Sequence, residues 1–445
     1  MQNVFDFTGN PFVDGGLWGL MEWMKVKDPG EIDIHDLGSV FDELADLYST
    51  ESWKKLIYYL FPNGPLTNPS YSGRHKQVYL QHLRGLVSSV NKASGGKTCI
   101  ACGKRGVVDP VDRKDIPLTG SRTMRNFFSY AAEGADYCPA CTLAVQFLPL
   151  VLYTCGDKVA LISSQSKKVM RRWAHECYSR INTQRLTKQY TKGIDEGYSN
   201  PRNALFHITG DLILAHHAEE FEGEEVTIRI YNFTNYGQSP DIEIFDLPAP
   251  VFRFLVFVKQ SDDYSKWLEV VRRGFYDKGK VDSEGFKRLN NHVYNSLLEN
   301  RSILGYFTDN ERNTYGTWNI LELYLKEVMG MDEKRLQLIK KLGDEIAEFI
   351  RKKDHVKRLT ALENAANYHS FRNVLRLIAK DRLIYGEPEP LFTFDEYVEM
   401  IYTGDSANWK EIQDLLLFRI YEKLHDWLVS LKLDNEKTDE EDEIV

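Results

Sequence analysis

Two Cys-x-x-Cys pairs constrain this chain more than any other feature. Cys99 and Cys102 form the first, Cys138 and Cys141 the second, and only Cys155 and Cys177 remain. A two-residue gap lets both thiolates of a pair face one ion, and two such knuckles complete a tetrahedral sulfur site suited to structural Zn2+. Gly103 and Pro139 stand where knuckle turns want them, and Lys104 and Arg105 favour thiolate at neutral pH. A redox motif needs one pair opening a helix after a strand, with no second pair. A disulfide frame needs an oxidising compartment, but the N-terminus MQNVFDFTGNPF has neither a basic flank nor a small-residue cleavage site. The expectation is a cytoplasmic protein with reduced thiols, four on zinc and Cys155 and Cys177 as bystanders.

A minimal zinc ribbon leaves about 15–20 residues between its pairs. Here the span from Gly103 to Tyr137 is longer, with turn signals at Asp109-Pro110, Ile116-Pro117 and Thr119-Gly120. The site should therefore pin an extended basic loop and a short helix. No histidine lies between Cys102 and Cys138, so a nuclease whose knuckles frame a catalytic His pair has no ligands there.

The net charge of −9 argues against a simple nucleic-acid binder, yet it is unevenly spread. The terminal stretch DNEKTDEEDEIV reads as a solvated, flexible acidic tail. From Asn68 to Asn126, eleven Lys and Arg face three Asp, and Asp157 to Arg202 is again basic. Local fields of this sign attract phosphate backbones even on an acidic protein. The longest apolar run, LAVQFLPLVLY, is too short to span a membrane.

Periodicity predicts an α+β fold: a mixed N-terminal region with a four-cysteine zinc-binding insertion, then a C-terminal α-helical bundle. Leu17, Leu20, Met21 and Met24 mark a helix opening near Asp14, followed by helical stretches at Phe41 to Leu60 and Lys76 to Val90. KVALIS (158–163), VTIRIYNF (226–233) and FRFLVFV (252–258) read as strands of a modest sheet. From Thr317 onward strand signals disappear, and four amphipathic helices with short connections suggest a bundle. The expected parts are 1–96, mostly helical; 97–142, the four-cysteine zinc module; 143–315, the α+β region; 316–433, the bundle; and 434–445, the tail. The bundle carries many cations, including Lys340, Lys341, Lys352, Arg358 and Arg382, either on a solvated face or for nucleic acid.

No catalytic constellation emerges. His216 and His217 are adjacent and point apart on any regular element, SSQSKK lacks a nucleophile elbow, and SGGK (94–97) lacks phosphate-loop spacing.

The opening FDFTGNPFVDGGLWGL, with Thr8-Gly9-Asn10-Pro11-Phe12-Val13-Asp14, together with Cys99, Cys102, Cys138 and Cys141, resembles the large subunit of type I-B CRISPR Cascade complexes. The resemblance implies a non-enzymatic antiviral subunit at the foot of a guide-RNA complex. Such a subunit recognises a short motif beside the double-stranded DNA target (the PAM), helps open the duplex and recruits a separate helicase–nuclease. Its partners would be guide RNA, target DNA, the Cascade backbone and its other subunits, and a small subunit; no membrane is involved. RNA pairing then reads the sequence, and protein reads only the flanking base pairs.

Candidate backbone contacts are Arg74, Lys76, Lys104, Arg105, Lys114, Arg122, Arg125, Lys167, Lys168, Arg171 and Arg172, with Asn126 as a base contact. Asn10 has two readings: a base or phosphate contact, or a turn beside a helix capped by Asp14. KEVMGMDEKRL (326–336) is encodable with a ribosome-binding sequence ahead of Met331, and Asp332 would cap the next helix. The segment Met331–Val445 would then also be made as a free small subunit, as the resemblance implies. Two other classes stay open: a zinc-dependent nuclease or RNA-processing enzyme, and a stand-alone zinc-containing nucleic-acid-binding regulator.

Overall fold

The chain is described here from a computed structural model, over residues 4–90, 92, 96–106, 109–120, 134–214, 225–236, 240–276, 281–309, 314–315, 317–403, 406–407 and 409–442. It divides into two compact units, one of Met1–Phe252 with Phe275–Glu299, the other of Arg253–Gly274 with Asn300–Val445.

In the first unit, α1 (Pro11–Met24) begins earlier than the periodicity suggested. Asn10, not Asp14, is its N-cap: the Asn10 Oδ1 accepts from the Phe12 and Val13 amides at 3.0 and 3.2 Å. Pro11 fills the first helical position, where a missing N–H costs nothing. Asp14 instead reaches back, its carboxylate accepting from the Thr8 and Gly9 amides at 2.8 Å each. A cap must precede the helix, and Asp14 already lies in its first turn.

After α1 come α2 (Leu37–Tyr48) and α3 (Glu51–Leu60), which divide at Ser49-Thr50 the stretch read as one, then α4 (His75–Val90). α5 (Pro139–Val145) runs into a 3-10 turn at Leu148–Val151, and nearly every residue of this stretch is buried. α1 presses on both, and its glycines make that approach possible. A Cβ on Gly16 would overlap the Ala144 carbonyl oxygen and stand 2.6 Å from its carbon. At Gly19 the Phe147 carbonyl oxygen would be 2.9 Å away. The GGLWG of the N-terminal signature is thus a packing device that seats α1 on the helix carrying the second knuckle.

A ribbon of β1 (Asp109–Val111) and β2 (Ala135–Tyr137) precedes a five-stranded sheet of order β5-β3-β4-β6-β7. Its strands are β3 (Leu152–Cys155), β4 (Lys158–Ser164), β5 (Ile194–Asp195), β6 (Ile228–Thr234) and β7 (Asp241–Leu247). All pairs are antiparallel except β3 with β5. α6 (Lys167–Thr187) is capped by Ser166 and covers the turn after α5, its Trp173 Nε1 donating to the Val151 carbonyl at 2.9 Å. α7 (Pro201–Leu214) follows; α8 (Ala249–Gln260) begins in this unit and continues into the second, α9 (Tyr264–Arg273) belongs to the second, and α10 (Ser283–Arg288) and α11 (His292–Leu298) belong to the first. FRFLVFV, expected as a strand, lies inside α8. Its alternate residues Phe252, Phe254, Val256 and Val258 are indeed buried, but Pro250 sits in the first helical turn, where proline starts a helix.

The second unit is helical, as its periodicity predicted. It contains α12 (Trp318–Glu327), α13 (Glu333–Lys353), α14 (Val356–Glu363), α15 (Tyr368–Ile384), α16 (Phe394–Ile401) and α17 (Trp409–Asp442), with two-residue hairpins β8 (Thr308–Asp309) with β9 (Thr314–Tyr315) and β10 (Tyr402–Thr403) with β11 (Ser406–Ala407). Asp332 caps α13 as expected, accepting from the Arg335 amide. α13 packs along α17, where Gly343 leaves room for the Arg419 stem and Arg419 holds both oxygens of Asp344 at 2.6 and 2.9 Å. α17 continues through the acidic run to Asp442, where a flexible tail was expected. From Trp409 to Asp442 the sequence has neither Gly nor Pro, so nothing in it breaks a helix.

Candidate metal centre and nucleic-acid interface

The first knuckle is a tight backbone loop. The Cys99 amide donates to the Lys104 carbonyl at 3.0 Å, the Gly103 amide to the Cys99 carbonyl at 2.9 Å, and Thr98 bridges Arg105. Gly103 has φ of 71°, a left-handed turn that glycine enters without penalty. The second knuckle is a helix start: Cys138 is the N-cap of α5, Pro139 the first helical residue, and the Cys141 amide approaches the Cys138 sulfur at 3.5 Å. The Ile100 amide donates to the Asp136 carbonyl at 2.9 Å, and Lys97 pairs with the Asp136 carboxylate at 2.9 Å, so the two loops are joined beside the sulfurs.

All four Sγ atoms lie within 4.8 Å of one another. Cys102 and Cys138 are 3.8 Å apart. Zinc–sulfur bonds of about 2.3 Å place tetrahedral sulfurs about 3.8 Å apart, so the cluster fits a bound metal. The thiols of Cys99, Cys138 and Cys141 also perturb one another's protonation. Cys99 is held well below the usual thiol range because the Cys138 and Cys141 thiols donate to it. Contact with Cys141 pulls Cys138 down, but Cys99 and burial outweigh it and push Cys138 up to about 12. Cys141 is driven up by Cys138, Cys99 and burial. Cys155 and Cys177 stand apart with thiols raised by burial, Cys155 to about 12.

Beside the cluster is a cleft of about 390 Å³, walled by Cys102, Cys138 and Pro139, by Thr8, and by three cations, Lys92, Lys104 and Arg105. The three are exposed, and Asp6 is the one carboxylate among the described lining residues. The N-terminal signature and the knuckles thus share one surface. Asn10 completes the link: its side-chain nitrogen lies 3.4 Å from the Tyr137 hydroxyl while its oxygen caps α1. Both ends of Asn10 are engaged within the protein.

Of the other sequence-picked residues, Lys114 sits on a turn packed against Gly64. Lys76 pairs with Asp46, and exposed Arg74 lies just ahead of α4. Lys167 and Lys168 open α6, with Lys167 over the Phe7 ring at 5.6 Å; Arg171 donates to the Lys27 carbonyl, and Arg172 faces Glu176 at 4.0 Å. Arg122, Arg125 and Asn126 lie outside the described residues, as do His216 and His217. Lys92 was not singled out, because an isolated lysine in a Gly/Ser stretch gives no signal until the fold brings it to the knuckle. Several bundle cations turn to their own unit: Lys340 to Glu322, Lys341 to Glu396, Lys352 to Glu387, Arg358 to Asp381 and Arg382 to Glu345.

A second cluster joins Glu196, His207 and Asp211. His207 lies 2.6 Å from Glu196, Tyr153 donates to Glu196 at 3.1 Å, and Arg180 bonds Glu196, Asp211 and Glu176. Burial opposes the Glu196 charge, yet His207 and Arg180 bring its pKa down to about 2. The guanidinium takes the place a cation would occupy, so this is an ion-pair network tying β5 to α6 and α7.

Residues 92–153 match the family described as CRISPR-associated protein (Cas_CXXC_CXXC). The matched stretch starts just after α4, contains both knuckles and α5, and ends in β3. It supports a CRISPR-associated protein with paired Cys-x-x-Cys motifs that works alongside other CRISPR components. No curated protein matches the chain. Among the described residues, no helix is long and apolar enough to cross a membrane.

Proposed function

We propose that this chain is the non-catalytic large subunit of a cytoplasmic CRISPR RNA-guided DNA surveillance complex of the type I-B Cascade kind, with structural zinc on Cys99, Cys102, Cys138 and Cys141. The observation that carries this reading is the meeting of the matched four-cysteine module with the basic cleft and the N-terminal signature on one surface. Four sulfur ligands leave zinc no open position for water, so the ion would hold shape and catalyse nothing. It fixes the loop bearing Lys104 and Arg105, which with Lys92 meet phosphates of the DNA flanking the guide-paired target. The subunit would recognise the target-adjacent motif, help open the duplex and recruit the helicase–nuclease. The segment from Met331, at the start of capped α13, would also be made alone as the small subunit.

The test is affinity purification of the tagged protein from its own operon, resolving bound protein and RNA. Short discrete RNAs with several partner proteins support the reading, as does a small product that vanishes when Met329 and Met331 are replaced by leucine. A lone protein without RNA refutes the complex and favours a stand-alone regulator. For duplex binding, Lys104→Ala with Arg105→Ala should lower the slope of log K against log salt by about 2.

A further inference from the structure

On the same unit, three tyrosines gather around a second cleft of about 460 Å³, lined also by Lys54, Lys55 and Glu51. Tyr58 and Tyr59 come from α3, and Tyr236 lies two residues beyond the end of β6. The Tyr236 ring centroid is 4.9 Å from Tyr58 and 6.2 Å from Tyr59, both tilted. Tyr58 is 38% and Tyr236 47% exposed, so large aromatic faces meet solvent together. Lys192 stands over the Tyr59 ring at 4.6 Å.

The cluster is held in place from below. Asn235, fully buried, donates through its side chain to the Leu60 carbonyl at 2.6 Å and the Arg113 carbonyl at 2.8 Å, and accepts from the Leu118 amide at 3.2 Å. Its own amide donates to the Tyr59 carbonyl at 3.0 Å. One side chain thus locks the end of α3, the end of β6 and the turn bearing Lys114. Preorganised rings lose little entropy on binding.

We infer that Tyr58, Tyr59 and Tyr236 form a stacking platform for the bases of a single-stranded nucleic acid, with Lys54, Lys55 and Lys192 facing its phosphates. Aromatic faces accept any base, and lysines at their margin follow the backbone without reading sequence. The lysines outnumber Glu51 around the cleft, which selects a polyanion over a neutral proline-rich peptide, the other ligand of aromatic grooves. This site rests on the reading that the chain handles nucleic acid. It does not depend on the metal-side cleft or on any named partner.

The experiment measures fluorescence anisotropy of a labelled oligothymidylate with the full-length protein. Tyr236→Leu and Tyr58→Leu should each weaken binding by about 5- to 150-fold, while the Phe variants stay within about twofold. The salt slope should hold in the tyrosine variants and fall in Lys54→Ala with Lys55→Ala. Unchanged melting temperatures exclude misfolding as the cause. Leucine variants that bind as tightly as wild type overturn the platform. So does a wild-type protein that binds a proline-rich peptide here and no single strand. If single strands are not bound but duplex binding still responds to Lys104 and Arg105, the platform fails and the cleft reading stands.

Discussion

Gly16→Ala should unseat the metal module from a distance. The added methyl would overlap the Ala144 carbonyl oxygen and stand 2.6 Å from its carbon, where ordinary contact begins near 3.4 Å. Restoring contact requires α1 and α5 to part by about 1 Å along a face with no slack, because α5 is buried almost throughout. Overpacking of this kind costs about 3 kcal/mol, the upper end of the usual range, which lowers a melting temperature by roughly 6–12 °C in a unit of this size. Since α5 begins at Cys138 and includes Cys141, the same displacement moves two of the four sulfurs. The control is Gly85→Ala, mid-helix in α4 with nothing within 4 Å of the new carbon, which should gain about 0.5–1 kcal/mol from helix propensity alone. Scanning calorimetry and chelator-driven metal release should both single out Gly16→Ala. Equal melting temperatures, or unaltered release kinetics, would refute the argument that the N-terminal signature supports the knuckles.

Elemental analysis should find one zinc per chain, falling to near zero in Cys99→Ser, with the loop at residues 97–106 becoming protease-sensitive. Asn235→Ala takes the side-chain donor from the Leu60 and Arg113 carbonyls and should cost about 2–3 kcal/mol in chemical denaturation. Acid should weaken the first unit through Glu196. Its folded pKa is depressed to about 2, so its contribution is present above the ordinary 4.5 and is lost as pH falls from there through 2. The full shift corresponds to about 3 kcal/mol, which partial exposure reduces to roughly 1–2. Glu196→Gln should flatten that limb of the stability–pH curve, and an unchanged limb would remove Glu196 from the account.

The clustering of the four cysteines was legible because it is written in spacing: two pairs of thiols need only a fold that closes the loop between them. The strand β6 was legible for a similar reason, since the alternation at Ile228 and Ile230 survives in its burial, whereas β4 was legible as a short apolar run buried on both faces. FRFLVFV shows the limit. A short apolar run fits either element, and the deciding signal was Pro250 at its start rather than the pattern within. Asp14 was misassigned as a cap because Asp is a good cap residue in isolation, yet Asn10-Pro11 ahead of it supplies both cap and first turn. The cleft and the tyrosine cluster were not legible at all. Lys92 meets Arg105, and Tyr58 meets Tyr236, only through the tertiary fold, and no local pattern records such meetings.

The seat of α1 on α5 also sets a timetable for synthesis. α1 leaves the ribosome early, bearing Leu17, Trp18, Leu20 and Met21, all destined for burial. Its partner emerges roughly 115 residues later, which at about 5–20 residues per second is a wait of roughly 6–23 seconds. During that interval the nascent helix lacks the surface of α5 and of the turn that follows it. The residue that ends the wait, Cys138, is also the one that begins closing the sulfur cage. Docking of α1 and the gathering of the four sulfurs therefore fall in the same stretch of translation.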